Sequence, residues 1–182
     1  MKTNLVATLD DLAQLSEHQK AELINGELVL MSPTGGMPGY AAGEIFASLR
    51  EYAKLTRSGH ALADNMGFVV NLPHRRSFSP VAAYYVGKLT MNFLVGAPSF
   101  AVEVRSDCDY GTEAERAMAE KRADYFAAGT AVVWDVDLLG PETIRVYRAS
   151  NPYQPTVFYR GDIADAEPAL PGWRFAVDEL FV

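Results

Sequence analysis

The stretch 99-SFAVEVRSDCDYGTEAERAMAEKRADYFAAGTAVVWDVD-137 reads as strand, helix, strand. Alternation over 99-SFAVEVRSD-107 puts Phe100, Val102 and Val104 on one face and Ala101, Glu103 and Arg105 on the other. From Thr112 to Ala128 the spacing becomes helical, with Ala114, Met118, Tyr125 and Ala128 on an apolar stripe and Gly129 as the stop. Glu113, Arg116, Glu120 and Asp124 are expected on a different, polar face. The run 131-AVVWDVD-137 then resumes a strand. Such a unit calls for a helical crossover, whereas hairpin signals elsewhere call for antiparallel pairing. Together they predict a mixed sheet with helices packed on it, an α/β (α+β) architecture.

Outward from that unit, Thr8 caps a short helix over 8-TLDDLAQLS-16. The segment 22-ELINGELVLM-31 forms two strands around the Asn25-Gly26 turn, and 33-PTGGMPG-39 is expected to be a loop. A helix from Ala41 to about Arg57 carries Ala42, Ile45, Leu49, Tyr52 and Thr56 on one stripe. Strand-like runs follow at 60–65, 67–72 and 78–87, and again at 143–148 and 156–160. The tail 171-PGWRFAVDELF-181 should close against the sheet. With no repeat or linker, residues 1–182 are expected to form a single domain.

Composition narrows the functional classes. The 182 residues are 49% hydrophobic with a net charge of -7, so long-range electrostatics does not favour nucleic acid and any such contact must be local. Candidate basic patches are Arg50, Lys54 and Arg57, and the loop 74-HRR-76. No apolar run reaches the roughly 18 residues that span a bilayer, and the N-terminal stretch lacks a signal-peptide pattern, so no membrane contact and a cytoplasmic location are expected. The lone Cys108 sits in a polar loop, and His18, His60 and His74 have no metal-ligand or triad spacing.

Glu103, flanked by valines, needs compensation by a cationic partner, a proton or a metal ion. Lys121 falls on the apolar stripe of the second long helix, three residues after Met118 and four before Tyr125. The strand bearing Glu103 leads into this helix, so folding back sets Lys121 beside Glu103. Two readings follow: a buried structural ion pair, or a hydrolytic site in which the carboxylate binds Mg²⁺ and the lysine positions or activates water.

The combination of 22-ELINGELVLMSP-33, Ser79-Pro80 opening a strand, 101-AVEVRS-106, 120-EKRADYFAAGT-130 and 132-VVWDVD-137 resembles the Uma-type family of restriction-endonuclease-like proteins, within the PD-(D/E)XK nuclease superfamily. The resemblance covers roughly Leu9 to Phe181. It implies a restriction-endonuclease-like fold, a mixed central β-sheet flanked by helices, and a Mg²⁺- or Mn²⁺-dependent endonuclease acting on DNA, with a homodimer plausible by analogy. In that superfamily an aspartate after a proline and a glutamate on the next strand bind the ion, while a lysine helps activate the attacking water. The glutamate matches Glu103 and the lysine matches Lys121, since Arg105 stands where the superfamily motif has its lysine. A glutamate of the first hairpin matches Glu27.

Two positions depart from the pattern. Val81 follows Pro80 where the metal-binding aspartate is expected, and a hydrocarbon offers a hard cation nothing. Pro38 stands near where the family has a histidine. Asp64, Glu27, Glu44 and Asp107 are candidates to replace the missing ligand. The alternative is a catalytically inactive nuclease-fold module for binding or assembly.

Overall fold

The computed structural model describes residues 6–16, 19–141 and 143–182; His18 and Glu142 lie outside these residues. In chain order the elements are α1 (Leu9–Ser16), β1 (Ala21–Ile24), β2 (Glu27–Leu30), α2 (Gly36–Thr56), β3 (His60–Leu62), β4 (Phe68–Val69), β5 (Ser77–Phe78) and β6 (Ala82–Tyr85). They continue with β7 (Leu94–Val95), β8 (Phe100–Val104), α3 (Thr112–Ala127), β9 (Val132–Val136), β10 (Ile144–Arg148), β11 (Asn151–Phe158), β12 (Ile163–Asp165), β13 (Arg174–Ala176) and a 3₁₀ turn, Val177–Leu180.

The central sheet has the order β11-β10-β9-β8-β6-β3. β8 and β9 are parallel, joined by α3 as the crossover, and the other neighbours in this sheet are antiparallel. The mixed sheet is thus as expected from the strand, helix, strand stretch. Alternation along β8 divides the core as predicted. Phe100, Val102 and Val104 pack with Ala41, Ala42, Ile45 and Leu49 of α2, while Ala101 packs with Tyr125 of α3 and with Phe68, Phe78 and Leu94 of the small β5-β4-β7 sheet. The tail closes the α2 side through Trp173, Phe175, Val177 and Leu180.

Three local expectations are corrected. The loop predicted over 33–39 ends early, because α2 begins at Gly36 and takes Pro38 into its first turn, where a missing N–H leaves no helical bond unmade. Thr56, placed on the buried stripe, is exposed and turns its hydroxyl back to the Tyr52 carbonyl at 2.9 Å. β11 begins at Asn151 instead of Thr156. Its two prolines argue against a central strand, but β11 is an edge strand, where a missing donor costs no ladder bond.

At the N-terminus, the Thr8 cap is reciprocal. The Asp11 N–H donates to Thr8 Oγ1 at 3.2 Å and the Thr8 N–H to Asp11 Oδ2 at 2.8 Å.

Candidate active site

Glu103 and Lys121 meet on the α3 side of the sheet. Lys121 Nζ lies 2.9 Å from Glu103 Oε1, and the Tyr125 hydroxyl donates to the same oxygen at 2.7 Å. The helical spacing explains the pairing: residues 121 and 125 are one turn apart and both project from α3 towards β8.

Lys121 has a second partner, Glu22, whose Oε1 lies 3.1 Å from Nζ. Glu22 is 1% exposed, against 20% for the Glu103 side chain. Every oxygen of Glu22 is engaged: Oε1 also accepts the Ser79 N–H at 2.9 Å, and Oε2 takes Arg75 Nη1. Arg75 in turn donates through Nε to Asp124 Oδ2 at 2.7 Å, and Asp124 Oδ1 takes His74 Nε2 at 2.7 Å. A continuous polar chain therefore runs from the half-exposed His74 to Glu103. Asp124, expected on a polar face of α3, is buried within it. The arginine that holds Asp124 comes from a loop 49 residues earlier, which helical periodicity does not report.

Burial works against the charge of Glu22, but Lys121 and Arg75 more than offset it and hold its carboxyl below the ordinary carboxylate range. Burial likewise opposes the Lys121 ammonium, yet Glu103 and Glu22 outweigh it and push the lysine pKa up. Burial, then the negative charges of Glu103 and Glu22, keep the Tyr125 hydroxyl protonated far above its usual range.

Arg105 is consumed by a separate network. It forks onto Asp135 with Nε–Oδ1 and Nη2–Oδ2 distances of 2.8 Å and also pairs with Glu115. Arg122 adds a 3.2 Å contact to Asp135 and stacks 4.1 Å over the Tyr147 ring. Both arginines belong to the wall of a cavity of about 360 Å³ that opens over Glu103 and Lys121, with Ile24, Val29, Met31 and Met118 forming an apolar side. Clefts of about 720 and 780 Å³ flank α1, but they bring together no pair of buried charges among the described residues.

The remaining expected residues lie elsewhere. Glu27 is exposed at the turn end of β2, while the hairpin glutamate that reaches the cavity is Glu22. Its signal in the sequence is the strand period: Glu22 shares a face with Ile24, which lines the same cavity. Val81 follows the strand-opening Pro80 and bonds through its N–H to the Val102 carbonyl at 3.2 Å. Its side chain packs against the α2-side core and does not line the cavity. Asp64 is paired with Lys20, Asp107 is exposed, and Asp109 caps Ser106 through contacts of 2.7 Å to its N–H and hydroxyl. Trp134 is fully buried and Cys108 is exposed.

A divalent ion of the Mg²⁺ type needs several oxygens in a fixed arrangement. Here Val81 offers none, both Glu22 oxygens are held by protein donors, and Glu103 retains Oε2 alone. Among the described residues no group of three or more His, Cys, Asp or Glu side chains could hold a metal ion. The residues present do not fit the two-carboxylate ion site that the superfamily resemblance implies.

A protein family described as "Uma2: Putative restriction endonuclease" matches residues 7–178. A crystal structure from Anabaena variabilis ATCC 29413, described as "a putative nuclease belonging to DUF820", superposes with a TM-score of 0.76 at 19% identity, covering 96% of this chain and 97% of the other. That likeness shows the fold. No curated protein matches the chain. No helix among the described residues is long and apolar enough to cross a membrane.

Proposed function

Because the chain belongs to the Uma2 family, we propose that it carries the phosphodiester-hydrolysing site of a DNA endonuclease in a form that has lost a metal ligand, so that Mg²⁺- or Mn²⁺-dependent cleavage is severely impaired. The observation that carries this reading is the Glu103–Lys121 pair, 2.9 Å apart at a cavity, with Val81, one residue before the Ala82–Val102 pair and so across from Glu103, standing where the family pattern has a carboxylate. The pair supplies a carboxylate with one free oxygen and an ammonium that spends two of its three donors on glutamates, leaving one for a phosphate oxygen or water.

A second reading is a nuclease-fold module that binds without cutting. The full engagement of Glu22 by Lys121, Arg75 and the Ser79 N–H supports it, because a carboxylate so held is not available to an ion.

Cleavage of supercoiled and linear DNA in Mg²⁺ and Mn²⁺ separates the two. Under the first reading the wild type cuts weakly, Glu103→Ala abolishes that activity, and Val81→Asp, whose backbone lies across from Glu103 and whose carboxylate turns from the core towards it, raises it on the order of 10²-fold. Under the second, neither the wild type nor Val81→Asp cuts. Wild-type cleavage that survives Glu103→Ala refutes both.

A further inference from the structure

The β1–β2 hairpin stands outside the central sheet, and its two edges differ. The outer edge of β1 is occupied by the 74–76 loop, where the Arg76 N–H donates to the Leu23 carbonyl at 2.9 Å and the Asn25 N–H to the His74 carbonyl at 2.6 Å. The outer edge of β2 has no strand beside it among the described residues. We infer that this edge is a self-association surface: a second copy of the chain pairs its own β2 there, antiparallel, and joins the two hairpins into one ribbon. Such pairing is independent of whether the chain hydrolyses anything.

Backbone parity sets the register. The Met31 N–H donates to the Lys20 carbonyl at 3.0 Å, and Val29 and Glu27 stand opposite Glu22 and Ile24, so the odd-numbered residues of β2 spend their N–H and C=O groups on β1. Leu28 and Leu30 direct theirs outward. An antiparallel copy with Leu28 opposite Leu30, and Leu30 opposite Leu28, uses both outward donors and both outward acceptors of each chain, and Val29 meets Val29 on the two-fold axis. A slip towards the turn brings in Gly26, whose carbonyl already accepts the Ala7 N–H at 2.8 Å. A slip the other way sets Leu28 opposite Ser32, beyond the end of the strand at Leu30.

The side chains favour the same partner. Val29 and Leu30 are apolar yet 43% and 53% exposed. Both edges of the central sheet are guarded, since β11 carries Pro152 and Pro155 and β3 is only three residues long. β2 has no proline, lysine or bulge to blunt it. Its one charge, Glu27, falls opposite Met31 of the second copy, so the two Glu27 carboxylates lie at opposite ends of the ribbon. The net charge of -7 on each chain opposes association, and salt screens that long-range repulsion. Val29 and Met31 line the cavity over Glu103 and Lys121, so the pairing brings Glu27 of the second copy to the rim of that cavity, and both cavities open on one face of the ribbon. Strands this short bury less than the roughly 1,200 Å² of a stable complex, so the dimer is weak, with a dissociation constant on the order of 10⁻⁴ M.

Sedimentation equilibrium of the full chain up to about 1 mM should show monomer and dimer, with association tightening as salt is raised, the reverse of binding to a polyanion. Leu30→Pro deletes an outward N–H and spares the hairpin's own bonds, so it should weaken the dimer at least tenfold with an unchanged circular dichroism spectrum. Should Leu30→Pro fail to fold, Leu30→Lys, at a side chain already half exposed, should show the same loss. Cross-linking reads the register in a Cys108→Ser background. Val29→Cys sets two thiols at directly facing positions that are not hydrogen-bonded to each other, within reach of a disulfide, whereas Leu30→Cys faces Leu28. Under mild oxidation Val29→Cys should form a disulfide-linked dimer at least tenfold faster than Leu30→Cys. A dimer indifferent to both Leu30 substitutions, or equal cross-linking at positions 29 and 30, overturns this interface. A chain that stays monomeric at the highest concentration also overturns it, leaving the edge of β2 to a strand of a different protein.

Discussion

Replacing Arg75 by methionine keeps the length and apolar stem of the side chain and deletes its charge. Arg75 is 5% exposed, its partner Glu22 1% and its partner Asp124 7%, so water cannot re-solvate the groups left behind. Glu22 would keep Lys121 and the Ser79 N–H, whereas Asp124 would keep only the half-exposed His74. Breaking a buried pair by removing one partner costs about 3–5 kcal/mol. For a domain of this size each kcal/mol lowers the thermal midpoint by roughly 2–4 °C, so the drop expected is about 6–20 °C. Urea unfolding at pH 7 measures the loss directly. The acid limb adds a signature: Glu22 has its carboxyl held below the ordinary value, so its contribution is present above the unfolded carboxylate pKa and is lost as pH falls through the lowered folded one. Arg75→Met, which removes one cause of the lowering, should shift that acid transition to higher pH. A loss below about 1 kcal/mol with an unmoved acid limb would refute the claim that the buried chain from His74 to Glu103 holds the site together.

Other outcomes test neighbouring parts of the structure. Tyr125→Phe removes the 2.7 Å donor to Glu103 and should cost about 1.5–3 kcal/mol in urea unfolding, the range for a hydrogen bond to a charged group. Burial and the hydrogen bond to Asp137 push the Tyr110 hydroxyl up to about 12, so stability should be full below pH 10 and fall as pH rises towards 12, and Tyr110→Phe should remove that alkaline loss in pH-dependent unfolding. Gly59→Ala would place a Cβ 2.7 Å from the Tyr85 carbonyl and 2.6 Å from the Tyr84 ring; because the backbone of β6 cannot yield, a loss of about 1–3 kcal/mol is expected in the same assay.

The sheet was legible because its signals are local. Valine alternation over 100–104, the apolar stripe of α3 and the Gly129 stop each depend on a few adjacent residues, and they define the β8–α3–β9 crossover. The pairing of Glu103 with Lys121 followed from that crossover, since Glu103 is the carboxylate on that face of β8 and Lys121 the cation on the apolar stripe of α3. Glu22 and Asp124 were not legible as members of the same chain. Their common partner Arg75 lies 53 residues from one and 49 from the other, in a loop with no periodicity. Short strands such as β7 and β12 were missed for a related reason: two or three residues carry too little alternation to register, and they form only because long-range packing supplies their neighbours.

The charges around Glu103 also explain why such a site is held in place independently of any ion. Val81 sits at the end of its strand and packs on the α2-side core, so exchanging an aspartate for valine there removes a charge without stranding another. Glu22, Arg75, Asp124 and Lys121 differ in kind. Each is tied to at least two others or their partners, and deleting any one leaves an opposite charge in a place that is nearly closed to water. At several kcal/mol per deletion, single substitutions of these four are opposed by stability whether or not the chain hydrolyses anything. The discriminating position is 81, whose side chain is tied to none of these charges, so a substitution there leaves the network intact.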